Sequence, residues 1–171
     1  MHAAIRWGTL AVALAATTAA AAAPKPPEPF PLFIARDVTG QRQSTATWRG
    51  APTLVVAITD RRASDAMRAW FQDAEKRAPA VRLKGLISIR VPFFISDSYA
   101  RARARESIPM KHWHDNLLDV HLGIAKVLSV SESDVPWAFA LDAQGRVVAV
   151  AHATVDAPEA RAVLRFLDAS K

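Results

Sequence analysis

Two short stretches of the sequence place polar side chains where they could bind a ligand. The first, ITDRRASDAM at residues 58–67, follows an apolar run and opens a predicted helix. Free backbone N–H groups at the start of a helix favour anions, and arginine grips carboxylate or phosphate with two hydrogen bonds. Thr59, Arg61, Arg62 and Ser64 therefore predict a site for a small anion or an acidic peptide end. The alternative is that both arginines are solvated and that Ser64 only caps the helix.

The second stretch is KHWHD at residues 111–115, and a further histidine follows at position 121. In an extended chain His112 and His114 point the same way, and neutral imidazoles bind zinc or copper. Asp115 or His121 would have to complete the ligand set, and the spacing is permissive but unspecific. A metal-binding protein or metal-dependent enzyme is thus the alternative hypothesis to a loop whose histidines face water. No cofactor is expected.

Composition excludes several classes of chemistry. The 171 residues include no cysteine, which removes disulfides, thiolate metal sites and every thiol-based redox mechanism. No Gly-x-Ser-x-Gly elbow or phosphate loop is present. The formal net charge is +6, but the arginines of YARARARE at residues 99–106 spread around a helix, and aromatic residues are not interleaved with them. Nucleic-acid binding is therefore not expected.

The N-terminus is typical of a secretory signal. It has a basic start at Arg6, an uncharged apolar segment and a run of alanines that fits the small-x-small cleavage rule near residues 20–22. This pattern predicts a signal peptide over residues 1–22 and a periplasmic or secreted protein, with no stable membrane span after cleavage. A retained anchor is the alternative, although the segment is weakly hydrophobic for a spanning helix. Residues 23–31 are rich in proline and predict an extended tether, followed by one domain over 32–171.

The rest of the chain alternates between strand and helix patterns. The continuous β-branched run at 53–58 predicts a central strand buried on both faces. The remaining predicted elements are an early strand or hairpin from residue 31, a helix over 64–77 capped by Ser64 or Asp65, a strand over 83–94, helices over 98–106 and 115–128, a hairpin over 135–151 and a closing helix over 158–167 capped by Asp156. This order predicts an α/β sandwich with a mixed sheet.

Two longer segments resemble a known family. RGAPTLVVAITD followed by a helix resembles the opening of the thioredoxin-like redoxins, the peroxiredoxin and periplasmic thiol:disulfide group. VPWAFALDAQGRVVAVAHATVDAPEARAVLRFL resembles their second half, with a Val-Pro, a strand, an Asp-x-x-Gly turn, a strand and a helix. The resemblance covers residues 30–167. It implies a thioredoxin-like three-layer sandwich, in which helices flank a mixed central sheet.

The resemblance also assigns positions around the family's active site. Arg62 matches the attacking cysteine, Asp65 the second cysteine, and Thr59 the threonine of peroxiredoxins. Pro136 matches a proline that in the family follows a cis bond and contacts bound substrate. Because neither a guanidinium nor a carboxylate can exchange a disulfide, thiol redox activity is excluded for this chain acting alone.

The resemblance therefore implies a binding or accessory protein of the cell envelope that uses the remodelled active-site surface. The partner would be a protein, a peptide or a small anion. That surface comprises Thr59, Arg61, Arg62, Ser64, Asp65, Val135, Pro136 and Trp137.

Overall fold

The computed structural model of the protein describes residues 22–170. The predicted signal peptide falls outside the described residues except at Ala22. The proline-rich segment 23–31 forms neither a helix nor a strand. Its end lies against the chain around Gly145, in the turn of the C-terminal hairpin. There the Phe30 N–H donates to the Gly145 carbonyl at 2.9 Å. The Phe30 ring is buried against Trp48 and Phe139.

The fold is built around strand β3, and the other elements take their places relative to it. The strands are β1 (Ile34–Arg36), β2 (Arg42–Ser44), β3 (Thr53–Ile58), β4 (Arg82–Ser88), β5 (Asn116–Asp119), β6 (Trp137–Leu141) and β7 (Val147–His152). The α-helices are α1 (Ser64–Arg77), α2 (Asp97–Ser107), α3 (Gly123–Val127) and α4 (Arg161–Ala169). Short 3-10 turns lie at Thr45–Trp48, Arg61–Ala63, Met110–Asp115 and Pro158–Ala160.

The central sheet is mixed, as the sequence predicts. Its strand order is β5-β4-β3-β6-β7, and β1 pairs with β2 in a separate hairpin. Strand β3 runs parallel to β4 and antiparallel to β6, while β4 and β5 are parallel. The parallel half therefore lies on one side of β3 and the antiparallel hairpin β6–β7 on the other.

Helices cover both faces of this sheet. Side chains alternate along β3, so Leu54, Val56 and Ile58 join the core under α1 and α4, whereas Val55 and Ala57 join the core under α3. All six residues of β3 are buried. The predicted α/β sandwich, its central strand and helix α1 are confirmed.

One region differs from the sequence prediction. The expected helix over 115–128 is a 3-10 turn, then strand β5, then the short helix α3. Leucines at 117, 118 and 122 fit a helical period, but pairing with β4 buries Leu117 and Leu118 in the sheet. Leu122 then has a positive φ of 58° and separates the two elements. The strand predicted over 83–94 correspondingly ends at Ser88.

The predicted helix caps are also wrong. Ala63 precedes α1 and Ala157 precedes the 3-10 turn that leads into α4, and neither end has a side-chain cap. Asp156 does not cap this turn. Its carboxylate instead hydrogen-bonds the Thr154 side chain, which lowers the pKa of Asp156.

A buried carboxylate holds the β1–β2 hairpin against the sheet. Asp37 is fully buried and accepts hydrogen bonds from Thr39, Gln41, Gln43 and His114, the last at 2.8 Å from Nδ1 to Oδ2. Burial raises the pKa of Asp37, but these hydrogen bonds outweigh it and lower the pKa to about 2. Its ionised form is thus built into the folded state.

Acid should destabilise the protein through this group. Because the folded pKa of about 2 lies below the ordinary aspartate pKa of 3.8, the carboxylate stabilises the fold above pH 3.8. The free energy of unfolding should fall by about 2 kcal/mol as the pH falls toward 2. Urea unfolding measured between pH 2 and pH 7 tests this. At pH 7 the free energy of unfolding of Asp37→Asn should lie below that of the wild type by at least this amount, and it should fall less as the pH is lowered. Asp65→Asn, at an exposed carboxylate, should match the wild type; equal curves for all three proteins would contradict the assignment.

Candidate functional site

The segment after β3 forms a compact turn that leads into α1. Asp60 initiates it, because its carboxylate accepts from the Arg62 N–H at 2.8 Å. The Ser64 hydroxyl donates to the Arg61 carbonyl at 2.6 Å. The residue that shapes this helix start is therefore Asp60, which sequence reasoning did not single out.

The two arginines of the turn have different surroundings. The Arg62 Nη2 atom lies 2.8 Å from an oxygen of Asp60, and its Nη1 lies 3.8 Å from an oxygen of Asp134. The hydrogen bond from Arg62 lowers the pKa of Asp60. Arg61 is exposed, and no acidic side chain among residues 22–170 pairs with it. Arg62 is thus already paired with carboxylates, whereas Arg61 can meet a ligand.

The threonine of the turn has a structural role. The Thr59 side chain is buried, and its hydroxyl donates to the Ser131 carbonyl at 3.1 Å and accepts from the Ser133 N–H at 2.8 Å. These bonds join the end of β3 to the loop that precedes β6. The hydroxyl is satisfied inside the protein and is not presented to a ligand.

The proline loop differs from the expectation that the family resemblance raised. The cis bond found within residues 22–170 joins Pro26 and Pro27, so the bond before Pro136 is trans and the predicted cis bond is wrong. Trans is the preferred state of an X-Pro bond. Here it is compatible with the Val135 N–H bonding the Ser133 hydroxyl and with the Pro136 carbonyl accepting from Ala153.

Trp137 lies on the other side of the sheet from α1. Its ring stacks on His152 with centroids 4.2 Å apart and packs against the core that α3 covers. The structure therefore joins the turn to the loop through Thr59 and Arg62, but it does not bring Trp137 onto the same surface. The strand period could have shown this, because Trp137 and Phe139 share one face.

A groove of 1080 Å³ begins at the turn and runs between α1 and α2. Its floor is apolar and includes Leu83, Ile87 and Leu118. The wall on the α1 side carries Met67 and Phe71. Four residues of the predicted site lie at one end of the groove: Arg61, Arg62, Ser64 and Asp65.

Two alanines of α2 lie against the domain beside the groove, and larger side chains of the same helix, Tyr99 and Arg103, lie at its edge. Ala100 and Ala104 pack against Val38, Leu118 and Val120, and no residue of α2 is buried. Sequence reasoning found this helix but missed the groove. The available signal was the alternation of alanine with arginine, which leaves Tyr99 as the large aromatic side chain of the helix.

Cations outnumber carboxylates around the groove. The lining includes five cations, Arg61, Arg62, Arg68, Arg103 and Lys111, against three carboxylates, Asp65, Glu75 and Asp115. Some of these charges pair with each other, as Arg68 does with Asp65 at 2.8 Å. Arg62 and Arg103 pair with Asp60 and Glu106 beside the groove, so it is the unpaired Arg61 that favours a ligand with an acidic group.

The candidate metal ligands do not form one site. His112 lies 3.6 Å from Glu75, His114 lies 2.8 Å from Asp37, and His121 lies 3.5 Å from Asp97. Within residues 22–170 no group of three or more histidine, aspartate or glutamate side chains is arranged to hold a metal ion. The metal hypothesis gains no support from this geometry.

In the described part of the chain, no helix combines the length and apolar character needed to cross a bilayer.

Comparisons with known proteins identify the fold. No family model and no curated protein matches the sequence. Among solved structures, a DsbF homologue from Corynebacterium diphtheriae is 15% identical with a TM-score of 0.59, covering 95% of this chain and 99% of that one. The pneumococcal exposed lipoprotein thioredoxin from Streptococcus pneumoniae is 14% identical with a TM-score of 0.53, covering 81% and 99%.

A secreted thiol-disulfide isomerase from Corynebacterium glutamicum is also similar. It is 15% identical with a TM-score of 0.58, and the match covers 81% of this chain and 84% of that one. At these identities the comparisons show a thioredoxin-like fold. The sequence has no cysteine, so the fold is present here without the thiols.

The Thr59 hydroxyl should matter for stability. Thr59→Val keeps the shape of the side chain but leaves the Ser133 N–H without its acceptor. We expect the free energy of unfolding to fall by about 1–3 kcal/mol, measured by urea denaturation. Thr47→Val is the matched control, because the Thr47 hydroxyl bonds a carbonyl at an exposed site. Equal stability of the two variants would rule out the structural role of Thr59.

Proposed function

We propose that this thioredoxin-like chain is an exported, non-redox binding or accessory protein that holds a segment of a protein partner in the groove between α1 and α2. The observation that carries the proposal is the position of the groove, which opens at Arg61, Arg62, Ser64 and Asp65. The turn that matches the family's reactive site thus becomes the mouth of a binding surface. Without cysteine, the scaffold recognises its partner but exchanges no disulfide with it.

The contacts favour a polypeptide over a small anion. Thr59 is bonded within the protein and Arg62 is paired with Asp60, so little of the turn remains for a compact anion. The groove has an apolar floor and a cationic mouth, and 1080 Å³ exceeds what one small anion would fill. A segment with apolar side chains and an acidic residue or C-terminal carboxylate matches both features. Arg61 is the residue best placed to pair with that carboxylate.

Two observations support export. Residues 1–22 carry the pattern of a cleavable signal, and similar folds include proteins described as an exposed lipoprotein and as secreted. Zero cysteines is also compatible with an oxidising compartment, where a free thiol would be open to reaction.

Site-specific photo-crosslinking in the cells that make the protein tests the groove. A photoreactive residue at Gln72, exposed on α1 and facing the groove, should form a covalent adduct with a protein partner. Arg61→Glu should weaken that adduct at least several-fold, because it reverses the charge at the mouth. Mass spectrometry of the adduct would show whether the partner segment is apolar and acidic.

The matched control is a photoreactive residue at Gln144, which is exposed in the β6–β7 turn and lies outside the groove. It should give no adduct with the same partner. If the same partner crosslinks equally at both positions, or if none crosslinks at Gln72, the groove is not the binding site.

A further inference from the structure

The surface turn between β4 and α2 carries an unbroken apolar run, VPFFI at residues 91–95. The Ile95 N–H donates to the Pro92 carbonyl at 2.9 Å, which closes a tight turn with Phe93 and Phe94 at its apex. Phe93 is 100% exposed and Phe94 is 73% exposed. Their rings touch only edge to face, with centroids 5.6 Å apart. Adjacent exposed phenyl rings form an apolar patch, and exposed apolar patches mark sites of interaction with a protein or a membrane.

The surface changes character with distance from the apex. Tyr99, in the first turn of α2, is exposed, and Arg103 follows four residues later on the same side of the helix. That spacing is a step of about 6 Å along the helix axis. Both residues face the groove side of α2. The order from the tip is therefore phenylalanine, tyrosine and arginine, which is the order found from the hydrocarbon boundary of a bilayer to its phosphates.

The polar groups near the apex present little obstacle to insertion. Pro92 has no N–H, and the Ile95 N–H is already bonded, so part of the turn's backbone needs no water. The acidic residue at the start of α2, Asp97, lies 3.8 Å from Arg101 and 3.5 Å from His121. Arg101 therefore offsets part of its charge.

Arg103 can contact lipid phosphate without loss of a strong internal bond. It pairs with Glu106 at the surface, and both side chains are exposed. Exposed pairs of this kind contribute little, so the guanidinium can be shared with another anion. The formal net charge of +6 also favours a negatively charged surface.

We propose that residues 92–95 anchor the protein to an anionic lipid bilayer, with Phe93 and Phe94 inserted at the hydrocarbon boundary and Arg103 at the level of the phosphates. A convex apex fits among acyl chains, whereas a partner protein would have to supply a deep pocket for two rings. The anchor adjoins the proposed partner groove, because Pro92, Ile95 and Arg103 line the groove, whereas Phe93 and Phe94 do not. Variants of the two phenylalanines therefore test the anchor without changing the groove lining. The protein would then act at a membrane surface.

Vesicle binding tests the anchor. Protein purified in the form that the cell exports is mixed with vesicles of phosphatidylethanolamine and phosphatidylglycerol, and the bound fraction is measured by co-sedimentation. Phe93→Ser/Phe94→Ser should lower the partition coefficient at least about tenfold. The wild type transfers two phenyl rings from water into the bilayer on binding, and the variant lacks this hydrophobic contribution. The control Leu32→Ser/Ile34→Ser removes two exposed apolar side chains elsewhere and should bind as the wild type does. All three proteins share the same N-terminus, so residues 1–22 cannot produce the difference.

A fluorescent probe locates the contact. Because the chain has no cysteine, Phe93→Cys provides a single site for an environment-sensitive dye. Its emission should shift to the blue on vesicles, and the same dye at Gln144→Cys should not respond. The proposal is overturned if the wild type does not bind vesicles, if the serine variant binds as tightly as the wild type, or if both dye positions respond alike. A photoreactive residue at position 93 that crosslinks to a protein and not to lipid would also overturn the proposal, because the apex would then bind a protein partner.

Discussion

Burial of strand β3 on both faces fixes where the candidate site lies. All six of its residues are buried, and their alternating side chains enter one core under α1 and α4 and another under α3. The end of this strand therefore sets the position of residues 59–65, which lead into α1, and this position does not depend on the side chains of the turn. Because packing sets the position of the turn, the fold does not require a thiol there, and it accommodates arginine and aspartate.

The polar side chains of the region divide into those that hold the structure and those that remain available. Thr59 and Asp60 satisfy backbone groups of the adjoining loop and turn, and Arg62 pairs with Asp60. Arg61 is left without an acidic partner among the described residues, at the mouth of the groove. The polar groups of the turn are thus mostly bonded within the protein, and the groove opens beside Arg61.

Sequence patterns correctly predicted the elements whose hydrophobic residues fit only one secondary structure. The β-branched run of β3 and the amphipathic spacing of α1 have no competing period, so their bounds could be predicted. Residues 116–128 could not, because leucines at 117, 118 and 122 fit both a strand and a helix until β4 is present beside them. The partners of Thr59 were equally hidden, because the loop that bonds it lies more than 70 residues away along the chain.

The groove and the phenylalanine apex have a common origin in the composition of α2. Two of its alanines lie against the domain beside the groove, its larger side chains Tyr99 and Arg103 lie at the groove edge, and the apolar floor formed by β4 and β5 stays open. Its connection to β4 is a tight turn whose two central side chains have no core to enter, so they project outward. A helix with large apolar residues would have filled the groove and covered part of this surface. The alternation of alanine and arginine in α2, which in the sequence alone indicates only a solvated helix, therefore leaves two apolar surfaces accessible on one side of the domain.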